Sequence, residues 1–173
     1  MRVFITGTGR CGTLSFVKAC RHITNYTAGH ETKVGRINDL DYPDNHIEVD
    51  PHLVWVMPML LTRYKNAFWV HLWREKKSCV ASLVKRESLL HFARFAHMYT
   101  GPKSIVAYRL ANLHYENVNG MINYMLMNRA GSMHMAIEAV QKEWPIFWGK
   151  IGAEGSIKAA LQTLRTKYNK SRR

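Results

Sequence analysis

A chain of 173 residues, 47% of them hydrophobic, suits one globular unit with a single good core, and no run approaches a membrane span of roughly 18 consecutive apolar residues. Three cysteines, Cys11, Cys20 and Cys79, form neither a C-x-x-C pair nor an even framework, which argues against a disulfide scaffold and for a reduced setting. The net charge of +13 calls for an anionic partner: nucleic acid, an acidic membrane surface or a polyanionic small molecule. The pattern predicts a first strand over 2–6, carried by Val3-Phe4-Ile5-Thr6, and a helix over 14–23 with Phe16, Val17 and Cys20 inward. Because that strand starts almost at Met1, no signal peptide is expected, and the cytoplasm is the expected compartment. Residues 24–46 are polar and turn-rich, with no clear second strand, and a short strand follows at Ile47-Glu48-Val49, ending at Asp50-Pro51. An apolar helix over 53–64 is expected to be interrupted near Pro58. Residues 67–73, Ala-Phe-Trp-Val-His-Leu-Trp, make the strongest strand, dense in aromatic and branched residues as a central parallel strand should be. Helices are predicted over 75–90, 91–98, 104–115, 119–142 and 154–168, with breaks at Pro102, Pro145 and Gly152 and a frayed basic tail at Lys167, Lys170, Arg172 and Arg173. Strands first, then a helical remainder, describe a small α/β unit with a parallel sheet over residues 1–173, its strands in 1–90 and a helical part in 91–173.

Chemistry concentrates where the first strand ends. Gly7-Thr8-Gly9-Arg10-Cys11-Gly12-Thr13 breaks the strand, and a helix restarts at Leu14. Successive backbone N–H groups and a helix N-terminus converge in such a turn, and glycines let an anion approach the backbone. Arg10 adds a permanent charge with several donors. Gly7 and Gly12 have the spacing of a nucleoside-triphosphatase loop, but Thr13 and Leu14 stand where Lys and Ser/Thr are needed for the terminal phosphates and magnesium. Gly7, Gly9 and Gly12 also match G-x-G-x-x-G, and Glu31 lies near the distance of a ribose-binding acid. Cys11 beside Arg10 is a small loop residue first and a nucleophile second.

A second anion site is expected at the end of the central strand. Arg74 follows that strand, and Ser82 and Arg86, four apart, share a face of the next helix. Both the first loop and Arg74 occupy carboxyl ends of strands, where ligands of such sheets bind. The nine histidines show no H-E-x-x-H or other zinc spacing, so no metal site is expected.

The first loop resembles the 5′-phosphosulfate loop, G-x-x-R-S-G-T-T, of sulfotransferases that use 3′-phosphoadenosine 5′-phosphosulfate (PAPS), with Cys11 for Ser and Leu14 for the second Thr. Residues 68–82 resemble the family's F-I-H-L-V-R-D-P-R-D-V-V-x-S segment, with the Arg74-to-Ser82 spacing kept and Glu75-Lys76 replacing Asp-Pro. Gly29-His30-Glu31-Thr32-Lys33-Val34 resembles the G-E-E-T-R-V segment of tyrosylprotein sulfotransferases. The resemblance covers residues 1–90 and implies a P-loop-containing-NTPase-like three-layer α/β fold. It implies that Gly9, Arg10, Cys11, Gly12, Thr13, Leu14 and Ser15 cradle the 5′-phosphosulfate, Ser15 standing in for the hydroxyl that Leu14 lacks. Arg74, Ser82 and Arg86 would hold the 3′-phosphate, Arg10 would assist transfer, and Glu31 would be the catalytic base. His30 is a substitute base, and Asp50 and His52 are reserves. No R-Y-E-D-L-like strand is found in the C-terminal half. The implied reaction moves a sulfuryl group to a hydroxyl or amine on a carbohydrate, peptide, lipid or small alcohol, leaving adenosine 3′,5′-bisphosphate and needing no metal. Competing readings are a P-loop kinase relative, a non-catalytic nucleotide-binding module and a basic nucleic-acid-binding protein, the last supported by the charge.

Overall fold

The computed structural model describes residues 1–33, 39–85 and 102–166. Arg86, Val34, the helix expected over 91–98 and the basic tail lie outside the described residues. Five strands, β1 Arg2–Thr6, β2 Thr27–His30, β3 His46–Val49, β4 Phe68–Trp73 and β5 Ser132–Ala136, form one sheet in the order β2-β3-β1-β4-β5. Every pairing is parallel. Around it lie α1 Thr13–Cys20, α2 Leu53–Arg63, α3 Lys76–Val84, α4 Lys103–Leu126, α5 Val140–Lys150 and α6 Ile157–Arg165.

Parallel strands are buried on both faces, and alternation divides their side chains between two cores. Val3, Ile5, Ile47, Val49, Val70 and Leu72 face one way, onto Phe16 of α1 and Trp144 and Phe147 of α5. Phe4 and Trp69 face the other way, with ring centroids 4.8 Å apart, onto Leu53, Met57 and Leu60 of α2 and Val118, Ile122 and Leu126 of α4. The result is a three-layer α/β fold of the P-loop-containing-NTPase type.

Four features differ from the expected elements. A short edge strand, β2, lies inside the stretch read as irregular and leads directly into Glu31; Thr27-Ala-Gly-His carries too little branched side chain to signal a strand, and its pairing with β3 creates it. The helices expected over 104–115 and 119–142 are one helix to Leu126, followed by a turn, β5, a 3-10 turn over Ile137–Ala139 and the start of α5. Asn128, left-handed at φ 64°, begins the turn, and Arg129 Nη2 bonds the carbonyls of Lys65 and Ala67 at 2.6 and 3.2 Å, bringing the start of β5 beside β4. Ser-Met-His-Met-Ala is rich in helix formers, so only its pairing with β4 makes it a strand. Finally, α2 and α5 run through Pro58 and Pro145, because the packed faces on either side hold each helix across one missing N–H.

Gly7 is required by close approach: a Cβ there would collide with the Leu72 carbonyl oxygen and stand 2.8 Å from Cys11 Sγ. Gly7→Ala should therefore lose about 3 kcal/mol of stability, the upper end for overpacking a tight site, as urea unfolding would show.

Candidate functional site

The first loop turns at the carboxyl edge of the sheet through two consecutive left-handed residues, Gly9 at φ 73° and Arg10 at φ 57°. Gly12, at φ 90°, is the N-cap of α1 and brings no side-chain cap of its own. A Cβ on Gly12 would lie 2.7 Å from Ile137 Cδ1, so the helix entry sits hard against the segment after β5. The N–H groups that open α1 are thereby left for an outside acceptor. Leu14 packs on the core beneath the loop and supplies no donor, and Ser15 is half-buried in the same first turn. Cys11 is fully buried, and burial pushes its thiol up to about 12, so it fills space and the nucleophile reading does not stand.

The second motif abuts the first. Arg10 Nε donates to Ser82 Oγ at 2.9 Å, and Arg74 Nη1 donates to the Arg10 carbonyl at 3.3 Å. Arg74 Nε also faces Glu138 Oε1 at 3.8 Å, and that oxygen accepts from the Glu75 N–H at 3.3 Å. Glu75 caps α3 by accepting from the N–H groups of Lys77 and Ser78 at 2.8 and 2.7 Å, which starts the helix that carries Ser82. Arg10, Arg74 and Ser82 are therefore one cluster, although 72 positions separate its ends.

A third group lies across the ends of β2 and β3. Glu31 is left-handed at φ 55° directly after β2. One ligand atom each of Glu31, Asp50 and His52 lies within 4.8 Å of the others. Asp50 is buried, and its Oδ1 accepts from the His52 N–H at 2.7 Å and from His52 Nδ1 at 2.9 Å. Burial raises the Asp50 carboxyl above its ordinary value, against the opposing bonds from His52. Behind Glu31, the fully buried Glu48 accepts from Thr32 N–H at 2.9 Å, Thr32 Oγ1 at 2.7 Å and His46 Nε2 at 3.0 Å. Burial alone would raise Glu48, but these bonds outweigh it and hold the carboxyl below its ordinary value. His30 lies between this group and the first loop, its Nε2 3.2 Å from Thr13 Oγ1 and 3.9 Å from Glu31 Oε1.

Strand register lines up a polar row at this edge. Thr6 pairs with His71, and His71 with His134; Asp50 follows Val49, the partner of Ile5. His71 Nε2 meets Asn119 Oδ1 at 2.8 Å, and its Nδ1 meets His134 Nδ1 at 3.1 Å. The amide oxygen can only accept, so neutral His71 carries its proton on Nε2 and takes one from His134. Burial holds His71 below the ordinary imidazole range. Sequence reading missed Glu48, His71, Glu138 and His114; Glu138 lies two residues beyond β5, whose own residues do not signal a strand.

The strand order also removes Glu31 from the ribose-binding position of a dinucleotide fold. In a dinucleotide fold the ribose-binding acid ends the strand next to β1. Here β3 takes that place, and Glu31 follows β2, one strand further out.

No protein-family model and no curated protein sequence matches the chain. Solved structures do. The sulfotransferase domain from the curacin biosynthetic pathway aligns over 96% of this chain and 78% of its own, with a TM-score of 0.66 and 12% identity. Mouse sulfotransferase SULT7A1, solved in complex with PAP, aligns over 95% of this chain and 63% of its own, with a TM-score of 0.54 and 12% identity. The fold is shared with these sulfotransferases. The chain spans less than two thirds of the length of the mouse enzyme.

Proposed function

We propose that this chain is a sulfotransferase that transfers a sulfuryl group from PAPS to an acceptor hydroxyl or amine. The observation that carries the reading is the junction of the two anion motifs, Arg10 to Ser82 at 2.9 Å and Arg74 to the Arg10 carbonyl at 3.3 Å, at the carboxyl edge of a sulfotransferase-like sheet. The PAP in the mouse neighbour supports a nucleotide of this kind.

In this reading the N–H groups of Cys11–Thr13 and the guanidinium of Arg10 receive the 5′-phosphosulfate and stabilise charge on its bridging oxygen as the S–O bond breaks. Arg74 and Ser82 take the 3′-phosphate, with Arg86 as a further proposed contact. Glu31 removes the acceptor proton, and His52, oriented by Asp50, stands beside it as an alternative acceptor of that proton. The same three residues also form a donor set that a divalent ion would accept. Chelation separates the two uses.

Thermal unfolding with adenosine 3′,5′-bisphosphate, ATP and NAD tests the nucleotide assignment. At 100 times its dissociation constant the bisphosphate should add about 2.7 kcal/mol of stability, with smaller shifts from the others. Sulfuryl transfer from PAPS should persist in excess EDTA. A strict metal requirement would reassign Glu31, Asp50 and His52 to a cation.

A further inference from the structure

Two neighbouring side chains of α4 reach the two anion corners without facing either anion. His114 Nε2 lies 2.9 Å from the carbonyl oxygen of Thr8, in the first loop. Tyr115 Oη donates to the carbonyl oxygen of Arg74 at 2.9 Å. A carbonyl can only accept, so His114 carries a proton on Nε2 and both residues act as donors.

A peptide unit is planar, so fixing a carbonyl also fixes the N–H of the next residue. His114 therefore sets the direction of the Gly9 N–H inside the phosphosulfate loop. Tyr115 likewise sets the Glu75 N–H, which meets Glu138 Oε1 at 3.3 Å beside the Arg74 guanidinium. The helix that carries them is well anchored. Its Val118, Ile122 and Leu126 are buried against the sheet, and Ala111 is buried against Cys79, Val80 and Leu83 of α3. Asn119 adds the 2.8 Å bond to His71 of β4, and Glu116 pairs with Lys76 at the start of α3.

We infer that His114 and Tyr115 form a strut that sets the spacing and orientation of the 5′ and 3′ anion corners, making the protein selective for a nucleotide that carries both anions over one that carries either alone. They are positioning residues, and the inference rests on the nucleotide reading above. A corner that has lost its tether still closes on its own phosphate. What is lost is the advantage of presenting both corners at once, which is a preorganisation and effective-concentration effect.

Calorimetry with adenosine 3′,5′-bisphosphate, 5′-AMP and 3′-AMP reads this directly. His114→Ala and Tyr115→Phe should each weaken the bisphosphate by about tenfold, the upper range for one net hydrogen bond, while each monophosphate changes by less than about twofold. His114→Gln, which keeps a donor, should restore most of the bisphosphate affinity. Retained 5′-AMP binding shows that a variant is folded. Equal losses for all three ligands, or no loss for the bisphosphate, would overturn the strut. A wild-type protein that binds the bisphosphate no better than 5′-AMP would instead overturn the nucleotide reading itself.

Discussion

Glu31→Gln should lower sulfuryl-transfer turnover by about 10²–10⁴-fold, the usual range for loss of a general base. Glutamine keeps the size and polarity but cannot take the acceptor proton. Affinity for adenosine 3′,5′-bisphosphate should stay within about twofold, because Glu31 belongs to the group at the ends of β2 and β3 and not to the Arg10–Arg74–Ser82 cluster. His30→Gln should cost far less, since its ring meets Thr13 Oγ1 and supports the loop. His52→Gln decides between the two neighbours. Asp50 Oδ1 accepts from the His52 ring Nδ1 and from the His52 backbone N–H, and the ring bond is the arrangement that orients a histidine base. If His52→Gln is the severe change and Glu31→Gln the mild one, the proton goes to His52. If neither matters, the base lies outside this group. Single-turnover assays at saturating nucleotide separate these outcomes from any effect on binding.

Arg74→Ala should weaken adenosine 3′,5′-bisphosphate by about 2–4 kcal/mol, the cost of removing a charged hydrogen-bond partner from an anion. The loss for 5′-AMP should be much smaller. Some loss is expected even there, because the Arg74 side chain donates to the Arg10 carbonyl at 3.3 Å and so steadies the first loop. Arg74→Lys keeps the charge but not the forked donor set that spans Arg10 and Glu138, and it should recover only part of the affinity. Equal losses for both nucleotides by calorimetry would remove the 3′-phosphate from Arg74.

Both experiments address residues that the linear chain already singles out, and the reason is local. A strand that breaks at Gly7-Thr8-Gly9-Arg10 and restarts as a helix at Thr13 is written in consecutive residues, as is the spacing from Arg74 to Ser82 across the strand-to-helix turn. The parallel α/β class was also legible, because β1 and β4 carry the apolar runs that burial on both faces demands. The edge strands were not. Thr27–His30 and Ser132–Ala136 have weak strand character of their own, and each is ordered by pairing with a stronger neighbour on one side. Missing β5 also hid Glu138, and reading Pro58 and Pro145 as breaks underrated the packing that carries α2 and α5 through them.

The sequence by itself determined the glycine-rich turn with Arg10, the Arg74-to-Ser82 spacing, the central strands and the residue types that stand at the strand ends. Only the tertiary structure decided how these meet. Parallel pairing places the ends of β1, β2, β3 and β4 at one edge, so that Arg10 reaches Ser82 and Glu31 joins Asp50 and His52. The packing of α4 on the sheet and on α3 then brings His114 and Tyr115 onto Thr8 and Arg74. Those contacts span between 41 and 106 positions of chain and leave no local pattern, because a hydrogen bond to a backbone carbonyl requires only a donor that the fold has carried to the right place.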